Sequence, residues 1–257
     1  PFPIPGRKDV DLFATETAMF LSLISYIFSQ DKTPELRQTV ERIKYEVDSR
    51  VIVPSLEEND WFWLSGQNNW TPWCCSNILG VGLLITEDQK KLIDLIWKLM
   101  EAIDRYIQKY NDDGACDEGP LYWTVSPCAM FLFLELLYSR TNGKINIFNE
   151  EKIYKMGHFI TDVHLASDNF ANFADCSSRL TVALPEVYLY GEKINDNDMK
   201  NLFIYLLGKD YDISGRLGRT LKNHLMAFFR IPDKLEPEKC RRKKIIFYPN
   251  TQIFVVR

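Results

Sequence analysis

The sequence lacks the marks of several function classes. It has no strong excess of charge: 31 Lys and Arg stand against 35 Asp and Glu, a formal net charge of −4. That balance offers no footprint for nucleic acid. The one basic run, "CRRKK" at 240–244, is short and reads as a solvated linker. No apolar run reaches the length of a membrane span, and stretches such as "AMFLSLISYIF" fall short. No signal-peptide pattern is present. The six cysteines contain no CxxC pair and match no zinc pattern. Cys74 and Cys75 are adjacent and cannot readily bridge each other without strain. The cysteines read mostly as small buried apolar residues and leave the compartment open. Histidine is scarce, with only His158, His164 and His224. No cofactor and no metal is expected.

Aromatic residues, by contrast, are plentiful at 13 %. An aromatic excess fits a large helical core, and it also fits a groove that stacks sugars. Helical periodicity dominates. "DVDLFATETAMFLSLISYIFSQD" reads as a helix with a wide apolar face. "TPELRQTVERIKYEVDSRVI" follows, with Thr33 as a cap and Pro34 in its first turn. "TPWCCSNILGVGLLI" is almost wholly apolar and should be buried on all sides. "TEDQKKLIDLIWKLMEAIDRYIQKYN" and "NEEKIYKMGHFITDVH" are amphipathic. "GPLYWTVSPCAMFLFLELLYSR" is again apolar. "FADCSSRLTVALPEVYLY" is expected to be helical, with Pro185 weakening its end. "NDNDMKNLFIYLLGKD" and "SGRLGRTLKNHLMAFFR" close the helical part.

Apolar helices thus alternate with amphipathic ones, the apolar set starting near 10, 72, 120, 173 and 214. Steps of about 40–60 residues suit one helical hairpin with its loops. A buried inner ring and a half-exposed outer ring follow. The expected fold is all-α, an incomplete α/α toroid of hairpins; a superhelical solenoid is the alternative. The toroid is expected over 1–232. Over 233–257 a Pro- and charge-rich linker leads to "IIFYPNTQIFVVR", a short β-hairpin read as the first strands of a β-sandwich domain. Both ends look cut, so a longer protein is expected.

In such a ring the inner helices all begin on one face. Polar and aromatic clusters fall at those beginnings: "PGRKDVDLF", "QNNWTPW", "DEGPLYW" and "SDNFANFADC". Helix N-termini carry free N–H groups and partial positive charge, which suit an anionic ligand such as a carboxylate. Each cluster also has a plain reading. Asn68 and Asn69 can cap, Trp70 and Trp73 can plug the ring, Asp117 and Glu118 can favour a helix end, and Tyr122 can be core.

Together, "NNWTPWCCSNILG", "DGACDEGPLYW" and "NFADC", preceded by "IPGRKDVDLF" and followed by "IIFYPNTQIFVVR", resemble the heparinase II/III-like polysaccharide lyases over nearly the whole chain. The resemblance implies an α/α toroid followed by an antiparallel β-sandwich, and β-elimination on acidic, uronate-containing polysaccharides or oligosaccharides. It also implies a secreted or periplasmic location. Elimination removes the proton alpha to a uronate carboxylate, whose charge must be neutralised by donors. A base takes the proton and an acid protonates the leaving oxygen. Carried over, Asn69 helps hold the carboxylate and Tyr122 is the acid or acid/base. Asn68, Trp70, Glu118 and Trp123 line the substrate, and Arg216 and Arg219 contact its carboxylate or sulfate. Several lyases have His where this chain has Trp70, and an indole N–H donates but cannot act as a base. His158 and His164 are expected far from these loops, on or after an outer helix, and His224 within the last inner helix. Another catalytic His of the family comes from the β-sandwich, so residues 1–257 alone are expected to be inactive.

Two other readings stand beside this one. A toroid glycoside hydrolase needs two carboxylates across the scissile bond, drawn from Asp113, Asp117, Glu118 and Asp175. A non-catalytic glycan-binding protein would use Trp70, Trp73 and Trp123 as platforms.

Overall fold

The computed structural model describes residues 9–31, 33–180, 184–208, 221–237 and 243–257. Arg216 and Arg219, and with them the expected start of the last inner helix, lie outside the described residues, as does Cys240. The chain is mostly helical with a short C-terminal β-hairpin. It divides into two compact units, 1–109 and 110–257.

In the first unit, α1 (Leu12–Phe28) is capped by Asp11, whose carboxylate accepts from the Ala14 amide at 2.7 Å. Its buried face is Thr15, Ala18, Ser22 and Ser25, which share one side at helical spacing. The large apolar side chains of α1 stay outside or half-buried, so its apolar face does not turn inward as the sequence suggests. α2 (Pro34–Val47) begins on Pro34, but Thr33 makes no side-chain cap; Asp31 accepts from the Thr33 amide instead. A π-helical turn, Asp48–Ile52, leads into α3 (Val53–Glu57). α4 (Trp70–Ile85) is buried almost continuously from Thr71 to Gly82, as its uniform apolarity demands. α5 (Gln89–Lys109) keeps Leu92, Leu95, Leu99, Ala102, Ile103 and Tyr106 on its buried stripe.

In the second unit, the apolar stretch after Glu118 is two helices, α6 (Gly119–Val125) and α7 (Pro127–Arg140). Pro127 has no N–H to continue α6 and instead opens α7. Taken as one stretch, Gly119–Arg140 is long and apolar enough to cross a membrane, yet 67 % of its apolar window is buried inside the protein. α8 (Glu151–Asp162) is followed by two short strands, β1 (His164–Ala166) and β2 (Asn169–Phe170). No helix begins near 173. The next one, α9 (Pro185–Lys193), starts at Pro185, so this proline opens a helix rather than weakening its end. Residues 167–180 are held as a loop by β-type bonds, Phe170 to Ser178 and Leu180 to Asp168. α10 (Asn197–Leu207) is capped by Asp196, which accepts from the amides of Asp198 and Met199. α11 (Leu221–Arg230) buries Asn223 against Glu186.

The C-terminal hairpin pairs β3 (Ile245–Tyr248) with β4 (Ile253–Val256) in antiparallel register, Ile246 opposite Val255 and Phe247 opposite Phe254. One face, with Ile246, Tyr248 and Val255, is buried; the other, with Ile245, Phe247, Phe254 and Val256, is exposed. Tyr248 donates to Asp162 at 2.9 Å. The Arg257 guanidinium donates to the carbonyls of Thr161 and Asp162, at 2.6 and 2.7 Å, the negative end of α8. The turn is fastened too: the Asn250 amide donates to Asp113 at 3.0 Å.

Candidate functional site

The first cluster belongs to the first unit. Residues Phe62–Ser65 form a 3₁₀ turn that ends on Gly66, at φ +74°. A Cβ there would sit 2.6 Å from the Tyr106 backbone nitrogen, so only glycine fits. Arg105 and Lys109 of α5 donate to the carbonyls of Leu64 and Ser65, at 3.0 and 2.8 Å. Thr71 donates to the Trp63 carbonyl at 2.6 Å, and the Trp63 indole donates to Val10 at 2.9 Å. α4 therefore starts from a fixed point. Asn68 Oδ1 accepts from the Trp70 amide at 3.0 Å, an Asx turn that places Asn69 at the helix cap position. Both asparagines are half-buried. The Trp70 ring lies 4.7 Å from the ring of Phe62, which is 54 % exposed. Trp73, expected to sink into the core, is only half-buried, whereas Cys74 and Cys75 are fully buried. Burial pushes the Cys74 thiol up to about 12 and Cys75 well above its usual value, which suits packing rather than reactivity.

The second and third clusters belong to the second unit, and the fold brings them together. Asn111 donates to the Ala115 carbonyl at 3.0 Å and to Asp117 at 2.5 Å. Asp113 accepts from the Ala115 amide at 3.0 Å. Gly119, at φ +86°, opens α6, and a Cβ there would lie 2.7 Å from the Phe173 carbonyl oxygen and 3.1 Å from Cys176 Cβ. Burial pushes the Cys176 thiol up, and the nearby Leu121 amide offsets part of that rise. "DEGPLYW" is thus seated directly on "NFADC". Tyr122 and Glu118, on either side of Gly119 in sequence, are half-buried. Trp123 is not a platform: it is fully buried, and its indole donates to the Met156 carbonyl at 2.6 Å. Its place in the first turn of an apolar helix, one residue beyond Tyr122, turns it to the core. Asp175 is exposed on the neighbouring loop.

Sequence reasoning missed a polar cluster on α8 and α10. His158 is held between two carboxylates, Nδ1 at 2.6 Å from Asp196 and Nε2 at 3.3 Å from Asp162. Tyr154 stacks on its ring, with centroids 5.4 Å apart. Burial pulls the imidazole pKa down, but the hydrogen bonds that the ring donates to Asp162 and Asp196 outweigh it and raise it to about 9. Burial would raise Asp162, yet His158 and Tyr248 hold it below its usual value. A signal was present: in "HFITD", His158 and Asp162 stand at i and i+4, on one helix face. The partner across the space, Asp196, is the cap residue of α10. His164 is a core residue bonded to the Ser167 carbonyl at 2.9 Å, and His224 is exposed on α11.

Two further carboxylates are buried in the second unit. Glu135 is paired with Lys193 at 3.0 Å and with Arg230 at 2.7 Å. Glu186 faces the Asn223 amide, and burial pushes its pKa up, so it favours the protonated form. Among the described residues no cysteine is in a disulfide. No family model matches this chain, and no curated protein sequence matches it either.

Proposed function

We propose that the chain is the toroid portion of a lyase-like protein that acts on uronate-containing acidic glycans by β-elimination. The observation that carries this reading is the seating of "DEGPLYW" on "NFADC" through Gly119, which holds half-buried Tyr122 in the first turn of α6. A phenol held in place but open to solvent can pass a proton to a leaving glycosidic oxygen. Asn68 and Asn69, at the start of α4, bring amide N–H donors, the polarity that a uronate carboxylate needs as negative charge grows on it. Trp70 takes a stacking role. Glu118 lines the same loop as Tyr122, and Arg216 and Arg219, which lie outside the described residues, are assigned to the acidic groups of the glycan from their place in "GRLGR", the expected start of the last inner helix. The toroid, the β-sandwich and the membership of the lyase family are parts of this same proposal. The hairpin, apolar on both faces, supports a further β layer packed on it.

The Phe62–Trp70 pair favours a second reading, a glycan-binding protein without catalysis, because half-open aromatic rings suit sugar stacking. A hydrolase has less support, since Asp113 and Asp117 already hold the loop through Ala115, Asn250 and Asn111.

The test is a panel of uronate glycans with the natural protein, followed by ultraviolet absorbance of unsaturated products. The expected result is absorbance from at least one glycan, lost by roughly a hundredfold or more in Tyr122→Phe. Binding without absorbance from any glycan supports the second reading. New reducing ends without unsaturation mean hydrolysis.

A further inference from the structure

We propose that His158, Asp196 and Asp198 bind a first-row divalent transition-metal cation that ties α8 to α10. The ligand atoms of these three residues lie within 4.8 Å of one another. Two features point to a cation rather than to a self-contained ion-pair network.

The first is an acceptor without a donor. Asp198 Oδ1 is shut off from solvent and has no hydrogen-bond partner. A carboxylate oxygen so placed carries a desolvation cost that a metal ion would remove. Charge points the same way. Asp162, Asp196 and Asp198 stand around His158, on whose ring Tyr154 stacks, so three carboxylates surround one imidazole. The nearby cations are committed to Asp162 and its helix end: Arg257 donates to the Thr161 and Asp162 carbonyls, and Lys243 acts on Asp162.

The second is the outer arrangement of the histidine. Asp162 stands on Nε2, and Tyr248 donates in turn to Asp162. A carboxylate on one ring nitrogen fixes the tautomer, orients the ring and raises the basicity of the other nitrogen, as it does behind metal-bound histidines. Here the other nitrogen, Nδ1, points at Asp196 Oδ2. On binding, the Nδ1 proton leaves to solvent and the metal takes its place between Nδ1 and Oδ2. Asp196 keeps its other oxygen on the amides of Asp198 and Met199, so the α10 cap survives. Ligands around one such ion stand about 3–4 Å apart, so the 2.6 Å contact between Nδ1 and Oδ2 opens and Asp198 turns inward as the metal enters. One nitrogen and two carboxylates suit zinc or manganese, whereas calcium and magnesium prefer all-oxygen sites.

The test is calorimetric titration of the chelator-treated full chain with Mn²⁺, Zn²⁺ and Ca²⁺. Mn²⁺ is the leading probe because buried thiols compete poorly for it. One equivalent of Mn²⁺ and of Zn²⁺ is expected to bind, with a rise in melting temperature. Asp198→Asn, which leaves the cap of α10 intact, is expected to weaken binding roughly tenfold or more. The spin-echo spectrum of Mn²⁺ on the wild-type chain is expected to show a directly bonded imidazole nitrogen, a readout that needs no variant. Absence of saturable Mn²⁺ and Zn²⁺ binding overturns the proposal. So do binding by calcium alone, affinity unchanged in Asp198→Asn, and a spectrum without nitrogen coupling.

Discussion

The loops that start α4 and α6 solve one problem with opposite charges. Each passes through a glycine of positive φ pressed against backbone, Gly66 on Tyr106 and Gly119 on Phe173. Behind the first loop stand cations: Arg105 and Lys109 hold its carbonyls, and nearby Lys98 holds those of Leu56 and Glu58. Around the second stand acids and amides, with Asp113, Asp117, Asn111 and Asn250 bonded to one another or to local backbone. A clamp of donors holds the loop that leads to Asn68 and Asn69. The two loops thus differ in what holds them, cations behind the first and acids and amides around the second.

The largest effects should come from the glycines. Gly66→Ala and Gly119→Ala are each expected to cost roughly 2–4 kcal/mol, from backbone strain and forced displacement together. Denaturant unfolding measures this, and a loss under about 0.5 kcal/mol at either position would show that its loop simply gives way. The clamps come next. Arg105→Met and Asp113→Ala should each cost about 1 kcal/mol, the usual net worth of a hydrogen bond. The variants should differ in where they loosen the chain. Faster amide exchange is expected around 64–68 for Arg105→Met, and at Ala115 and Asn250 for Asp113→Ala. Uniform exchange changes would remove the contrast.

The smallest effect concerns acidity. Glu186, in the second unit, has a folded pKa raised by burial. Its unfolded form releases a proton above its usual value of 4.5 while the folded form still holds it. Stability therefore falls as pH climbs from that value toward the folded pKa, the reverse of a salt-bridged carboxylate. Glu186→Gln cannot ionise and should gain on the wild type in melting temperature as pH rises above 4.5. A constant difference across that range would mean the carboxyl is already ionised when folded.

How much of this was legible depended on range. α4, α5 and α8 follow from apolar spacing alone, because their neighbours are supplied by the same periodicity. Pro185 misled because proline stops one helix and starts another with the same ring, and only the β-type bonds of 167–180 decide which. Trp123 looked like a partner of Tyr122, yet adjacent helical residues point about 100° apart, so one faces solvent and the other Met156. His158 was overlooked because its meaning depends on Asp196, Asp162 and Tyr248, which meet only after α8, α10 and the hairpin are assembled. The seating of Gly119 on Phe173 has no local signature beyond the glycine itself.

The reversed amphipathy of α1 has a practical side. With Thr15, Ala18, Ser22 and Ser25 turned inward, Phe13 is 76 % exposed, and Phe20 and Ile27 follow it at steps of seven along the outside. Such a ridge governs colloidal behaviour more than folding. Polar replacements along it should leave unfolding nearly untouched while changing how concentrated a solution the chain tolerates.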